Sequence, residues 1–462
     1  MAGAQRPLSF FAPLLTRFPL LTRFPLLTRF PLFNGAPVSG QMKIIRDPLW
    51  NNIAADPLAI RLIDTPAFQR LRYVRQLGLA FLVYPGATHS RFEHALGTYH
   101  LARRALSLLG DRGAVGKADR ELCATVRVAA LLHDIGHYPF SHALEEIGAL
   151  HHEEVARPLI TDGEVADVLR SAMGERAPDE IMALIRGVSR SPLQRLISGS
   201  LDLDKLDYLR RDAFMCGVPY GEIDVDRLMN SLTIVETPDG RQIGIVEKGL
   251  SALESLLFAR YQMYRNVYWH HAVRSATAMY KRLVDDAMNA GSLDAAALAA
   301  FTDEGLLHDL ARRAPSPLLG ALRERRLFKR AFQCPAGDLP PDAAEWIADD
   351  PALTRRVEDA LAAESGLAAG EVLLDYPTKT QMLGLDMPVQ RRNGDVFRLT
   401  AEGEGGMNLP KLAEEFYRSA RWLRVFARRP VELQRRSILA LATRPREEVK
   451  SLLDRGCALL AS

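Results

Sequence analysis

The stretch HDIGHYPFSHALEE, residues His133 to Glu146, places three histidines and an aspartate within ten positions. Eight of the eleven histidines of the chain lie between His89 and His152, so imidazoles are concentrated in one segment. Neutral imidazoles and a neighbouring carboxylate suit borderline divalent metals such as manganese, iron, zinc, nickel and cobalt. The stretch therefore predicts a metal centre with spare imidazoles beside it.

The spacing inside this stretch indicates how its side chains are presented. His133 and His137 are four apart, so a helix would place both on one face. Pro139 then ends the helix, and His142 returns on a turn. Two ligands are too few for a metal centre. Further candidates are His94, on a helix predicted to begin after Ser90, and an aspartate of the segment LDLDKLDYLRRD.

That second segment carries a polar stripe. Asp204, Tyr208 and Asp212 are spaced i, i+4 and i+8, so on a helix they form one line about 12 Å long. A carboxylate, a phenol and a second carboxylate in this order could line an extended nucleotide from metal to sugar. The alternative is a solvated helix face with i,i+4 ion pairs to Lys205 and Arg211.

Several segments together resemble one known family. VRQLGLAFLVYPGATHSRFEHALGT, LLHDIGHYPFSHALE and LDLDKLDYLRRD are similar to the H…HD…D signature of the HD-domain metal phosphohydrolases. Within that family they look like the deoxynucleoside triphosphate triphosphohydrolases, the branch of the vertebrate SAM-and-HD-domain enzyme. The likeness covers about residues 43–290 well and the remainder loosely.

The resemblance implies roles for particular residues. It implies one divalent transition metal held by His94, His133, Asp134 and Asp204, with Mg²⁺ as a further candidate on the substrate phosphates. Water would attack the α-phosphate and release nucleoside and triphosphate. The implied proton donors are His142, His137 and His152, the last held by Glu153.

Matching positions also imply substrate contacts. The phosphates would lie against Arg91, Lys205, Tyr208 and Arg260. The sugar would lie among Gln76, Leu77, Asp212 and Tyr268, where a bulky phenol against C2′ would reject ribose. The tyrosines of ARYQMYRNVYWHH recur at helical spacing, which is typical of core packing as well as of a nucleotide wall.

Two other functions stay open at this stage. One keeps the fold and metal but hydrolyses another nucleotide as a phosphodiesterase or nucleotidase. The other is a non-catalytic nucleotide sensor. Signalling-type HD phosphodiesterases usually carry HDxGK, whereas this chain has His137 at the lysine position, which favours dNTP hydrolysis. A full set of four ligands argues against a pure sensor.

The elements that must position these residues are mostly helical. Apolar residues three and four apart predict helices through 47–210 and at Leu250–Asn289, and the capping box of Ser90 and Glu93 predicts a helix start. A hairpin is predicted over Thr233–Glu247. Strands are predicted in EVLLDYP and LDMPVQRRNGDVFRLT, and helices over Leu409–Arg428 and Pro445–Leu460. The expected fold is mainly α, an HD helical bundle with a hairpin and a small α/β C-terminal region.

The predicted domains are an HD phosphohydrolase domain at 42–290, a helical connecting segment at 291–345 and a small α/β region at 346–462. Residues 1–41 contain LLTRFP three times in tandem, with a proline every six residues that forbids a continuous helix. We interpret them as a disordered or spurious extension; a membrane- or partner-binding tail is the alternative. The basic segment RSARWLRVFARRP is interpreted as a charged helix face, with RNA or an anionic effector as the alternative.

Composition limits the class of protein. The 462 residues carry a net charge of +3, which gives no global argument for a nucleic-acid partner. Four isolated cysteines without a CxxC pair predict thiols in a reducing compartment, and we expect a cytoplasmic protein without a membrane span. From the resemblance we expect a nucleotide substrate, an activating nucleotide and a homodimer or homotetramer.

Overall fold

The computed structural model describes residues 41–377, 386–399 and 409–460. The predicted N-terminal extension with its tandem repeat lies outside the described residues. The described part begins with an antiparallel pair, β1 (Lys43–Asp47) and β2 (Asn51–Ala55). Asp47 sits at the end of β1 and accepts hydrogen bonds from the backbone N–H groups of Leu49 and Trp50, which closes the turn.

A helical body follows this pair. Its helices are α1 (Pro57–Ile63), α2 (Pro66–Gln69), α3 (Arg91–Asp111), α4 (Arg120–Leu132), α5 (His152–Thr161), α6 (Gly163–Met173), α7 (Ala177–Ile185), α8 (Leu203–Cys216) and α9 (Val225–Ser231). The predicted capping box starts α3: the carboxylate of Glu93 accepts from the backbone N–H of Ser90 at 2.8 Å. Helix α3 packs between α4 and α8, and its apolar side chains belong to the main core.

The second half of the chain mixes helices and strands. The helices are α10 (Leu250–Met263), α11 (His271–Asn289), α12 (Asp303–Arg313), α13 (Pro317–Arg323), α14 (Glu345–Asp349), α15 (Pro351–Glu364), α16 (Leu409–Ala420), α17 (Arg435–Thr443) and α18 (Arg446–Asp454). The strands are β3 (Leu232–Thr237), β4 (Gly240–Val246), β5 (Lys329–Pro335), β6 (Val372–Asp375), β7 (Met387–Gln390), β8 (Val396–Leu399) and β9 (Trp422–Ala427). The fold is mainly α with small sheets, as the sequence predicts.

Two sheets tie this second half together. One has the order β3-β4-β7-β8, in which the predicted hairpin β3–β4 joins β7 through a short parallel pairing of Ile245 with Val389. The other has the order β5-β9-β6 and is antiparallel throughout. Because β4 and β7 pair across the predicted boundaries at 290 and 345, the described residues form one compact unit from Gln41 onward. The predicted boundaries themselves stay a prediction.

Three helix predictions need correction. Residues 60–78, which lie within the predicted helical region 47–210, do not form one helix but are broken into α1, α2 and a 3₁₀ turn at Arg70–Tyr73, since Thr65 caps a new helix start at Pro66. The helix expected over Leu250–Asn289 is interrupted by a π-helical turn at Tyr264–Tyr268. The helix expected over Leu409–Arg428 ends at Ala420, and the following residues form β9.

The interpretation of RSARWLRVFARRP as a charged helix face is therefore wrong. Its residues Trp422–Ala427 form the central strand of a sheet, and Trp422, Val425 and Phe426 are of the aromatic and β-branched types that favour strands. Two of its arginines are buried: Arg421 donates to both oxygens of Glu345, and Arg424 donates to the Trp269 carbonyl at 2.9 Å. The strand also carries apolar residues, including Val425, into the core of the C-terminal region.

The cysteines and the helices of the described residues can be compared with the expectations from composition. Cys123, Cys216, Cys334 and Cys457 are all free. Among the helices of the described part of the chain, none combines the length and the apolar character that crossing a membrane requires.

Gly97 allows α3 and α8 to approach closely. A Cβ added at Gly97 would overlap the carboxylate of Asp207 on α8 and the guanidinium of Arg211. We therefore expect Gly97→Ala to lower the free energy of unfolding by about 1–3 kcal/mol through overpacking. Gly110 lies on the same helix with only a van der Waals neighbour, so Gly110→Ala should raise it by about 0.5–1 kcal/mol. Chemical denaturation of both variants measures the difference, and equal values would contradict this packing.

Candidate metal centre and active site

Four side chains from three helical elements converge on one point. His94 lies in the first turns of α3, His133 caps the C-terminus of α4, Asp134 follows it and Asp204 lies in the first turn of α8. His94 Nε2 is 2.9 Å from Asp204 Oδ1, 3.3 Å from His133 Nε2 and 3.5 Å from Asp134 Oδ2. The predicted ligand atoms therefore face one another within a space that one ion could occupy.

The local backbone after α4 differs from the prediction. Helix α4 ends at Leu132, and the residues from His133 to Phe140 form turns, so no helix face presents His133 and His137 together. Gly136 allows this turn to pack closely against α5, because a Cβ there would overlap the backbone of His152 and Ala156. His137 reaches the centre differently: its Nε2 is 3.0 Å from Asp134 Oδ1.

Asp207 supports the centre from behind and was missed by the sequence analysis. Its Oδ2 is 2.8 Å from His94 Nδ1, so the imidazole is oriented with Nε2 toward the other ligands. Trp50 and Arg211 also donate to this buried carboxylate, at 2.5 and 2.8 Å. The signal was present in LDLDKLDYLRRD, where Asp207 and Arg211 have the i,i+4 spacing of an ion pair on a helix.

The charges of the centre are unequally neutralised. Arg91 donates to Asp134 at 2.6 Å, and Arg211 pairs with Asp207. Asp204 contacts only His94 and His133 among the charged side chains of the described residues. One carboxylate of the cluster therefore lacks an arginine or lysine partner.

The pKa values report the same demand for positive charge. Burial alone would lower the pKa of His94, but hydrogen bonds to Asp204 and Asp207 raise it to about 10. Burial would likewise raise the pKa of Asp204, but His133 and His94 hold it well below its usual range. Two imidazoles and two carboxylates are a donor set that divalent transition metals accept. The residues present therefore fit a divalent metal ion.

A second cluster of imidazoles lies beside the first. The carboxylate of Glu145 is 3.3 Å from His142 Nδ1 and 3.0 Å from His152 Nδ1. The rings of His137 and His152 stack with their centroids 4.0 Å apart. His142 is exposed toward the cavity, with 56% of its side chain accessible, whereas His152 is largely buried.

The predicted partner of His152 needs correction. Glu145, seven residues earlier, contacts the imidazole; Glu153 lies close by but forms no hydrogen bond to it among the described residues. The reason is that Glu153 is the next residue on α5 and leaves the helix in a different direction. Burial lowers the pKa of His152, and the hydrogen bond to Glu145 opposes that shift.

Both clusters line one cavity of about 710 Å³, within the range of about 300–1,000 Å³ typical of small-molecule sites. Of the sixteen residues predicted for the site, all but His94 line it. They are Gln76, Leu77, Arg91, His133, Asp134, His137, His142, His152, Glu153, Asp204, Lys205, Tyr208, Asp212, Arg260 and Tyr268. His94 is fully buried and contacts the cavity through the other ligands.

The cations of the cavity are not equivalent. Arg91 is engaged by Asp134 and by the hydroxyl of Ser141, and Lys205 is engaged by Asp202. In contrast, Nε of Arg260 is buried without a hydrogen-bond partner in the described part of the chain. Arg260 therefore retains a guanidinium N–H that the described residues leave unpaired, beside its contact with the Tyr264 ring.

At the other end of the cavity a buried carboxylate fixes a tyrosine. Asp212 lies 2.8 Å from His89 Nε2 through one oxygen and accepts from the Tyr268 hydroxyl at 2.8 Å through the other. Both oxygens predicted to accept from a sugar hydroxyl are thus already engaged. Nearby, the side-chain oxygen of Gln76 is buried without a partner among the described residues, which leaves it able to accept from a ligand.

Asp303 on α12, which the sequence analysis did not single out, braces two of these loops. Its carboxylate accepts from the backbone N–H of Phe140 at 2.8 Å and from that of Arg75 at 3.0 Å. Phe140 and Ser141 both have positive φ, 57° and 64°, a conformation that non-glycine residues rarely adopt. Asp303 therefore stabilises the strained turn before His142.

Comparisons with known sequences agree with this geometry. The family model of the HD domain matches residues 91–212, and that of the HD associated region matches residues 223–404. An uncharacterized protein of Methanocaldococcus jannaschii is 39% identical over 66% of this chain and 63% of its own length. The uncharacterized protein YwfO of Bacillus subtilis is 39% identical over 52% of this chain and 55% of its own length.

A further relative is named for its enzymatic activity. Deoxynucleoside triphosphate triphosphohydrolase SAMHD1 of Bos taurus is 30% identical over 50% of this chain and 45% of its own length. The chain thus spans less than two thirds of the length of each of these curated relatives.

Solved structures show the same fold. A phosphohydrolase from Bacteroides thetaiotaomicron superposes with a TM-score of 0.66 at 24% identity, over 84% of this chain and 100% of that one. A hypothetical protein from Aquifex aeolicus superposes with a TM-score of 0.65 at 26% identity, over 91% of this chain and 100% of that one. With the H…HD…D residues gathered at one point, the chain belongs to the HD-domain metal phosphohydrolases, in their SAMHD1-like branch.

Proposed function

We propose that this HD-domain phosphohydrolase hydrolyses deoxynucleoside triphosphates to deoxynucleoside and triphosphate. One observation carries the proposal: a metal-type ligand set, an imidazole–carboxylate cluster and a buried guanidinium with an unpartnered Nε–H line a single cavity. A polyphosphate needs a cation at one end and a proton donor at the bond that breaks. The activity named for the SAMHD1 relatives supports the same reaction.

A divalent metal would be held by His94, His133, Asp134 and Asp204. When bound there, it would polarise a phosphate oxygen as a Lewis acid. Its identity among manganese, iron, zinc, nickel and cobalt is open, because the donor set suits several of them.

The imidazole cluster supplies the proton. Water forms a new bond to the α-phosphorus, the bond from phosphorus to the nucleoside 5′-oxygen breaks, and that oxygen must gain a proton. His142 borders the cavity, and His152 shares the same Glu145 carboxylate. The Glu145 carboxylate orients both imidazoles through their Nδ1 atoms, and an imidazole oriented in this way can act as the general acid.

The remaining residues orient the substrate. Arg260 donates its free Nε–H to the phosphates, and Lys205 lies beside it on the cavity wall. Tyr268, whose hydroxyl is fixed by Asp212, presents a rigid ring to the sugar and excludes a 2′-hydroxyl. Asp212 then acts by holding this phenol, and Gln76 is the acceptor available for a sugar hydroxyl.

We also propose the assembly and setting that the resemblance implies. They are a homodimer or homotetramer, an activating nucleotide and a cytoplasmic location. The free cysteines are compatible with a reducing compartment.

The activity is tested by incubation with each dNTP and NTP over Mn²⁺, Mg²⁺, Fe²⁺ and Co²⁺. Anion-exchange chromatography resolves triphosphate from pyrophosphate and orthophosphate. We expect triphosphate and deoxynucleoside in equal amounts. Release of only orthophosphate or pyrophosphate would instead indicate a nucleotidase or phosphodiesterase, and binding without turnover would indicate a sensor.

The metal assignment predicts which aspartates retain the ion. Asp204→Ala removes a direct ligand and should abolish metal retention, measured by elemental analysis after gel filtration. Asp207→Asn removes no proposed ligand but neutralises the carboxylate that orients His94, and it should weaken metal affinity by about 10- to 100-fold. Asp226→Ala, an exposed aspartate on α9, is the control and should retain the ion. Full metal content in Asp204→Ala would contradict the ligand set.

The carboxylate of the proton donor gives a second prediction. Glu145→Gln should lower kcat by about 10²-fold or more while metal content is unchanged, as expected for impaired general acid catalysis. Because Glu145 raises the pKa of His152 against burial, its neutralisation lowers that pKa further. The alkaline limb of the kcat–pH profile should therefore move to lower pH.

Glu153→Gln is the comparison variant for this prediction. Glu153 is the neighbouring glutamate that the sequence favours, and it lines the same cavity without bonding His152. We expect its effect on kcat to be at least about tenfold smaller. A larger effect from Glu153→Gln would restore the pairing predicted from the sequence.

A further inference from the structure

One buried arginine joins the catalytic loop to the C-terminal sheet. Arg274, on α11, donates to both oxygens of Glu146 at 2.8 Å. Its Nε and Nη2 also donate to Asp375 on β6, at distances between 2.5 and 3.1 Å. Asp375 is fully buried, and 6% of the Arg274 side chain is accessible. The guanidinium thus bridges two carboxylates that are 229 positions apart in sequence.

The first of these carboxylates belongs to the proton-donor segment. Glu146 follows Glu145 directly, in the 3₁₀ segment Ser141–Ile147 that also carries His142. Lys281 donates a further hydrogen bond to Glu146 at 2.8 Å. Burial would raise the pKa of Glu146, but the charges of Arg274 and Lys281 hold it well below its usual range. The segment is therefore anchored at the residue beside the carboxylate that holds the imidazoles.

The C-terminal sheet also reaches the sugar end of the cavity. Arg424, on β9 beside β6, donates to the carbonyl of Trp269 at 2.9 Å and lies 3.7 Å from Asp375. Trp269 follows Tyr268, the ring proposed to face the sugar. The adjacent strands β6 and β9 are thus linked to two parts of the site. Asp375 on β6 is linked through Arg274 to the segment of Glu145, and Arg424 on β9 contacts the residue after Tyr268.

We propose that Asp375 is a positioning residue for the reaction: through Arg274 and Glu146 it sets where the Glu145-held imidazoles stand. This inference rests on the proposed function of those imidazoles. Asp375 does not line the cavity, so it acts through the arginines that it holds, chiefly Arg274 with its direct hydrogen bonds. Burial of Glu146, Arg274 and Asp375 costs desolvation energy. Their hydrogen bonds can in turn hold the Glu146 segment in one geometry. A displacement of about 1 Å in a catalytic group can cost about 10²-fold in rate.

The chain offers a matched control on the same helix and the same strand. Arg282 lies two turns after Arg274 on α11 and contacts Glu358 on α15 at 3.2 Å. Glu358 also accepts from the backbone N–H of Leu374, the neighbour of Asp375, at 2.8 Å. This second pair joins α11 to the same region without any contact to Ser141–Ile147 among the described residues. It carries a comparable structural role and no link to the imidazoles.

The test compares Asp375→Asn with Glu358→Gln in the full-length, metal-loaded protein. We expect both to lower Tm and both to retain metal. Only Asp375→Asn should lower kcat, by about tenfold or more, with KM changed by less than about threefold and an altered kcat–pH profile. Equal kcat losses in the two variants, or an unchanged kcat and pH profile in Asp375→Asn, would overturn the proposal.

A second pair of variants tests the proposal if Asp375→Asn or Glu358→Gln does not fold. Arg274→Lys and Arg282→Lys keep the charge and remove the forked geometry that holds two carboxylates. The same difference in kcat is expected between them, and its absence counts against the proposal.

Failure of the proposed function can be distinguished from failure of the positioning role of Asp375. If the unaltered protein releases no triphosphate, that function fails, and positioning is tested by the His152 ring pKa from NMR. That pKa should move in Asp375→Asn and stay fixed in Glu358→Gln; no difference between the two would overturn positioning.

Discussion

The concentration of negative charge around one imidazole is the constraint on which the rest of the structure depends. His94 lies within 3.5 Å of carboxylate oxygens from Asp134, Asp204 and Asp207. Arginines neutralise Asp134 and Asp207, and the third carboxylate faces the cavity without one. A buried cluster of this kind is stabilised by a further positive charge, which a protonated imidazole or a bound divalent cation can supply. The protein therefore has to hold α3, α4 and α8 at fixed distances, which the contact at Gly97 and the core around α3 achieve.

The metal-type ligands and the imidazole–carboxylate cluster are held in place in different ways. The metal-type ligands come from helices that pack directly against one another, so their placement follows from the central core. The imidazole–carboxylate cluster instead lies on turns, which have no such packing of their own. Those turns are fixed from outside by Asp303, through the backbone of Phe140, and by Arg274, through Glu146. Rigid placement of the proton donor thus requires residues far along the chain.

This difference explains how much could be predicted from sequence. The convergence of His94, His133, Asp134 and Asp204 was predictable, because His133 and Asp134 are adjacent and the H…HD…D signature is specific. The hairpin, the start of α3 and the mainly helical fold follow from local patterns. Asp207 was accessible in principle from its i,i+4 spacing to Arg211. The partner of His152 was not, because two glutamates were available and only the path of the turn selects Glu145. The strand β9 was mistaken for a helix because its arginines suggested a solvated face, whereas both are buried by distant carboxylates.

Long-range ion pairs are the feature that sequence patterns do not reveal, and here they have a consequence for how the fold is organised. Arg274 and Arg282 both attach α11 to the C-terminal region, and Arg424 attaches β9 to the turn after Tyr268. In each pair a buried acceptor depends on one guanidinium donor. A shift of the sheet that broke this hydrogen bond would leave the acceptor buried without a partner, which is energetically costly. A change that moves β6 and β9 would therefore reach the segment of Glu145 and the residue after Tyr268 together. The C-terminal sheet thus contacts the segments next to the proposed proton donors and to the ring proposed to face the sugar.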